Sequence, residues 1–225
     1  MKTIDYHMHA HPIHNPIEKI KEELRKVKRF DVSTAILVPW VRNEYENKKK
    51  IDYLVEGEEF EKANNYVLEC GGKNDEFYFI PYCSIAKGFN LPANFNNFKG
   101  MTWYYLSKGC WSWNDAEKFL DKIGKKRTSI IMEDKLSIIR CAANYKIDLM
   151  LPHAGLNNYD ENPEEFWKEI KKRKNVHFDT SIVSKDTLAK CVKIIKKKAR
   201  FHFASDYPIS KMTIEEEIKK LASVF

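Results

Sequence analysis

The chain has 225 residues, enough to bury a sizeable core, and neither a Pro/Gly/Ser-rich linker nor a repeat period divides it, so one domain over 1–225 is expected. Its 39 basic and 32 acidic residues leave a net charge of +7 and a pI near 9.0, which suits an anionic small-molecule substrate; nucleic acid is disfavoured, because stretches such as Lys171-Lys172-Arg173-Lys174 and Lys196-Lys197-Lys198 read as solvated helix faces. No apolar run approaches the roughly 18 residues of a membrane span, no signal-peptide pattern opens the chain, and the five cysteines form no Cys-x-x-Cys pair, so a soluble protein in a reducing, cytoplasmic compartment is expected.

The first element is a strand over 4–9, Ile4-Asp5-Tyr6-His7-Met8-His9, and four of the seven histidines fall between His7 and His14. Strand alternation sends Asp5, His7 and His9 to one face, so two imidazoles converge from a stiff element, as metal ligands do. His11 and His14 follow on the loop, within reach of a substrate or of solvent. A helix then opens at Asn15-Pro16, read as N-cap and first-turn proline, with Ile17, Ile20, Leu24 and Val27 on one stripe. A strand over 34–40 leads to Trp40 and Arg42. Gly71 caps the next helix ahead of a strand over 77–83.

The strand over 101–106 lies in a stretch crowded by Phe89, Phe95, Phe98, Trp103, Tyr104, Tyr105, Trp111 and Trp113, which would line either an apolar pocket or the core. Trp40, Arg42 and Lys108 are the candidate substrate-binding residues, the two cations being suited to a carboxylate. The short run over 129–132 leaves the strand count open between seven and eight. A strand over 147–152 delivers His153, and Asn162-Pro163 opens another helix. Asp179 ends the strand over 176–180, equally suited to a site role or to capping the helix near Ser184. The strand over 201–205 delivers Asp206, and Thr213-x-x-Glu216 is a capping box.

Most of these apolar runs are continuous, as in parallel strands buried on both faces, and they alternate with amphipathic helices from end to end. That pattern is a (β/α)8 TIM-type barrel, distorted or seven-stranded if the doubtful run is not a strand. Active sites of that fold form at the C-terminal ends of the strands, where His7, His9, His153 and Asp206 all sit. His177 and His202 fall inside strands and read as structural, and Asp5 as a supporting residue one layer deeper.

Ile-Asp-x-His-x-His at 4–9, His-x-Gly at 153–155, Asn-Val-x-x-Asp-Thr-Ser at 175–181 and Ala-Ser-Asp-Tyr-Pro at 204–208 resemble, in order along the chain, the amidohydrolase superfamily and most closely its amidohydrolase-related branch of hydrolases and metal-dependent decarboxylases. The resemblance implies a barrel with a divalent metal in its mouth and a metal-activated water; His7, His9 and His153 would hold the metal, and Asp206 would either complete its shell or, beside the water, act as general base and return the proton to a leaving group. The family's bridging lysine on the fourth strand aligns with Thr102, so one metal is expected rather than two: zinc first, with manganese or iron as alternatives. Relatives usually carry a histidine on each of strands five and six, whereas this chain offers only His153; with eight strands, His153 belongs to the sixth and Glu133 to the fifth. The expected function is hydrolysis of a small-molecule amide, lactone or ester. Decarboxylation of an aromatic or dienoic acid is the alternative, followed by a phosphoesterase or nuclease and by a catalytically degenerate barrel that binds; homo-oligomerisation is left open.

Overall fold

The computed structural model describes residues 3–40, 58–85, 91–104, 113–124, 128–133, 136–156 and 162–225. Arg42 and Lys108 lie outside the described residues. The strands are β1 (Thr3–Ala10), β2 (Val32–Pro39), β3 (Gly72–Asn74), β4 (Phe77–Ser84), β5 (Gly100–Tyr104), β6 (Ser129–Glu133), β7 (Asp148–Leu151), β8 (Val176–Asp179) and β9 (Phe201–His202). Between them run α1 (Ile17–Lys26), α2 (Glu58–Cys70), α3 (Trp113–Gly124), α4 (Leu136–Ala142), α5 (Pro163–Ile170) and α6 (Lys185–Ile195), and α7 (Ile214–Ala222) follows β9.

Eight strands pair in parallel in the order β1-β2-β4-β5-β6-β7-β8-β9, and β3 is a short antiparallel partner of β4. Closure comes from backbone bonds between β1 and the segment after β9: Tyr6 N–H to Phe203 O at 2.9 Å, Asp206 N–H to His7 O at 2.9 Å and His9 N–H to Tyr207 O at 2.8 Å. The result is a nearly closed barrel of eight parallel strands, the TIM-type architecture. The run at 129–132 is a strand, so β6 is the fifth barrel strand and His153 follows the sixth, β7.

Tyr6, Ile36, Val38, Ile80, Tyr82, Ile131 and Met150 fill the barrel, while Met8, Ala35 and Leu37 pack outward with Ile20 and Leu24 of α1. Continuous apolar runs are what such two-sided burial demands. Gly100 makes room for the interior: a Cβ there would lie 2.5 Å from the Tyr82 ring.

Helix starts follow their capping chemistry with one correction. Asn162 accepts from Glu164 N–H, and Thr213 with Glu216 closes a complete capping box. The N-cap of α1, however, is Pro16. Asn15 instead donates to His9 O at 2.5 Å and pairs with His11 through the backbone, closing the loop after β1. The left-handed residue after α2 is Gly72, at φ 93°, rather than Gly71. The lysine runs at 171–174 and 196–198 are exposed. No helix among the described residues is long and apolar enough to cross a membrane.

Candidate metal centre

β1 does not alternate cleanly. Its register against β2 pairs Asp5 with Ala35 and Met8 with Leu37, three steps against two, so a bulge sits at Tyr6 and His7. Tyr6 packs in the barrel interior and His7 also turns inward, which puts Asp5 out of phase with the histidines and in line with outward-facing Ala35. The expectation that Asp5, His7 and His9 share one face is corrected accordingly: the bulge re-aims His7, and Asp5 binds backbone instead. Its Oδ1 accepts from His7 N–H at 3.1 Å and from Ser205 N–H at 3.0 Å. Burial, only partly offset by those bonds, raises the Asp5 carboxyl to about 7.

His7, His9 and Asp206 meet at the barrel mouth, each with one donor atom within 4.8 Å of the others, and all three are buried. Asp206 Oδ1 lies 3.0 Å from His9 Nε2 and 3.6 Å from His7 Nε2, and the two imidazole rings are 4.8 Å apart. Asp206 adopts a left-handed φ of 52°, fixed by its N–H on His7 O and by its own carbonyl, which accepts from Ile209 and Ser210. Burial alone would raise its carboxyl, but the charge on His7 and the hydrogen bond from His9 hold it below the usual range. For His7 burial is outweighed by Asp206 and Asp179, which lift the imidazole to about 9; for His9 burial prevails and the ring is held below the usual range.

His153 stands beside this trio rather than within it. Its ring stacks at 6.4 Å from that of His7, and its Nδ1 is 3.0 Å from Ser181 Oγ. Both His153 and Ala154 take left-handed backbone, at φ 55° and 57°, in the tight turn after β7. Glu133 ends β6 on the same face as interior Ile131 and so points into the mouth; burial raises its carboxyl above the usual range. Thr102 is fully buried and donates to Cys83 O at 3.4 Å.

Asp179 has a larger part than the sequence reading gave it. Its Oδ2 accepts from His7 Nδ1 at 3.0 Å, and its Oδ1 accepts from His153 N–H at 2.9 Å, Ser181 N–H at 3.0 Å and Ser181 Oγ at 2.7 Å. It caps no helix, since Ser184 itself caps α6. Burial pushes its carboxyl up, yet the bond and charge of His7 and the other donors keep it well below the ordinary range.

Trp40 is half-buried at the end of β2, with its ring edge-on to His14 at 6.3 Å. The His11 ring is engaged in its own loop, Nδ1 accepting from Ile13 and His14 N–H at 3.1 Å. Of the aromatic stretch, Trp103 and Phe98 are core, Trp103 packing edge-on to Phe119 at 5.7 Å. His177 Nδ1 and His202 Nε2 are 2.9 Å apart, and the His202 ring packs against Tyr6 inside the barrel, centroids 4.4 Å apart and planes tilted by 40°.

No protein-family model matches the chain, and no curated protein matches its sequence. Solved structures share its fold. Amidohydrolase 2 from Bifidobacterium longum subsp. infantis superposes with a TM-score of 0.69 at 12% identity, over 100% of this chain and 92% of the other. An amidohydrolase from Burkholderia multivorans with bound zinc gives 0.66 at 10% identity, over 99% and 92%. A dihydroxybenzoic acid decarboxylase from Polaromonas sp. JS666, with bound manganese and the inhibitor 2-nitroresorcinol, gives 0.61 at 11% identity, over 98% and 90%. The chain thus has the barrel fold of amidohydrolase-related structures, as its motifs implied.

Proposed function

We propose that this chain belongs to the amidohydrolase-related branch and is a mononuclear metal-dependent hydrolase of a small-molecule amide, lactone or ester, with His7, His9 and Asp206 as the metal-holding cluster and His153, whose ring stands beside it at 6.4 Å from that of His7, as the further ligand. The observation that carries this reading is the buried cluster of two imidazoles and a carboxylate, its donor atoms within 4.8 Å of one another at the end of the barrel where active sites of this fold form. The donor chemistry fits a borderline divalent ion: imidazole nitrogen with carboxylate oxygen suits zinc, and manganese or iron as alternatives. Thr102 in place of a bridging lysine favours one ion over two. Bound there, the metal would supply Lewis acidity and lower the pKa of a water molecule toward about 7.

The chain's own groups do the rest. Asp206, whose carboxylate faces two imidazoles, would take a proton from the attacking water and return it to the leaving group. Trp40 at the rim, together with Arg42 and Lys108, would meet an apolar substrate bearing a carboxylate.

Glu133 favours a second reading, decarboxylation of an aromatic or dienoic acid. A carboxyl at the mouth whose hold on its proton is strengthened by burial can deliver the proton that replaces carbon dioxide on the substrate carbon. Several barrels of this fold, including the Polaromonas protein, are decarboxylases by name.

Elemental analysis after mild dialysis tests the common premise, with an expected content close to one divalent metal per chain. Two metals would overturn the mononuclear reading. None, in protein supplied with zinc, manganese or iron, would leave a binding barrel. Turnover on a panel of lactones, amides, phosphoesters and aromatic carboxylates then separates hydrolase, phosphoesterase and decarboxylase.

A further inference from the structure

We propose that Asp179 is a positioning residue that sets the ring protonation of two histidines at once, His7 directly and His153 through Ser181, so that each keeps its proton on Nδ1 and its lone pair on Nε2 when a metal is held. The inference rests on the metal-centre reading above, but its hydrogen-bond logic can be tested apart from it.

The logic is a count of protons. Asp179 Oδ1 receives the backbone N–H groups of His153 and Ser181, at 2.9 and 3.0 Å, and these can only donate. An ionised carboxylate has no proton of its own, so the 2.7 Å contact with Ser181 Oγ consumes the single hydroxyl proton of that serine. Toward His153 Nδ1, 3.0 Å away, Ser181 Oγ can then only accept, and the ring nitrogen must carry the hydrogen. On the other carboxylate oxygen, Oδ2, the 3.0 Å contact likewise requires the proton on His7 Nδ1.

Both rings are thereby turned the same way by one buried anion. A hydrogen bond from the far ring nitrogen is the usual means by which a protein fixes the orientation and basicity of a metal-binding histidine. Here one residue supplies it twice, because β8 ends between the turn after β7 and the mouth of β1. The same oxygen that takes the Ser181 hydroxyl also holds the His153 backbone N–H, and so pins the left-handed turn that aims the ring.

The test is long-range ring-nitrogen NMR on the full-length protein, metal-free and zinc-loaded, with zinc affinity measured by chelator competition. In the wild type both His7 and His153 should show a proton on Nδ1 with and without zinc. Ser181→Ala should move His153 alone toward the Nε2–H form, and Ser181→Thr should restore it. Asp179→Asn should disturb both rings and weaken zinc by roughly 10- to 100-fold, the usual effect of losing such a partner. A wild-type His153 carrying its proton on Nε2 alone would overturn the relay, and unchanged zinc affinity in Asp179→Asn would overturn its role toward the metal. Should wild-type protein bind no zinc, the proposed function fails while the ring spectra still decide the relay. Should Asp179→Asn fail to fold, the wild-type spectra and the Ser181 pair decide it.

Discussion

Asp206 faces two imidazoles with one oxygen, and ligation and proton transfer make different demands on it. Ligation needs an oxygen with a lone pair, which an amide also offers; proton transfer needs a basic oxygen, which an amide lacks. Asp206→Asn should therefore lower turnover by roughly 100-fold or more, within the range general acid–base catalysis contributes, while part of the metal is retained. Steady-state rates on whichever substrate the panel identifies, set against metal content, check this; unchanged turnover would remove Asp206 from proton handling. Asp206, His7 and His9 could be picked out in the sequence because each follows or ends an apolar run. Asp179 could not be assigned, since an aspartate at a strand end serves equally well as a helix cap, and only the structure shows four donors converging on it. Glu133 waited on whether the run before it was a strand at all.

Inside the barrel, β8 and β9 bring His177 and His202 within 2.9 Å, and the pair sets an acid limit on the element that carries them. Burial, then the neighbouring His177, depresses His202 to about 4, with Asp179 opposing; His177 is lowered by burial and by Arg200, with Asp148 opposing. A histidine near 6.5 in the unfolded chain and near 4 in the fold leaves the unfolded state binding more protons between those values. Its contribution is therefore fully present above about pH 6.5 and is lost as the pH falls toward 4. Thermal unfolding across that window should show a steep acid loss in the wild type and a shallower one in His202→Gln; equal slopes would show that the pair does not titrate on unfolding. At this scale the sequence was informative about strand existence, because two-sided burial writes itself as continuous apolar runs. It was silent about β3, only three residues long, and about the β1 bulge, since a register shift against a neighbour leaves no mark on the periodicity of one strand.

The barrel closes and its site assembles at the same seam. His7 and His9 come from the first strand and Asp206 from the turn after the last, so the centre exists only when the chain's two ends are stitched together. Asp5 is the side chain that stitches them: one fully buried oxygen accepts from His7 N–H on β1 and from Ser205 N–H, the residue before Asp206. Removing it leaves two buried donors without that acceptor, at about 1–3 kcal/mol each. Asp5→Ala should thus lower the unfolding free energy by roughly 2–6 kcal/mol and also weaken metal binding, although Asp5 is not in the ligand set. His7→Ala should behave oppositely, losing the metal with a much smaller effect on the fold, because barrel stability rests mainly on its layered apolar interior. Asp5→Asn, which keeps an acceptor oxygen, should fall between wild type and Asp5→Ala. Denaturant melts of metal-free protein together with zinc competition measure both quantities. If Asp5→Ala binds zinc as tightly as the wild type, the seam and the site are independent; if it unfolds no more easily, closure is carried by the backbone bonds alone.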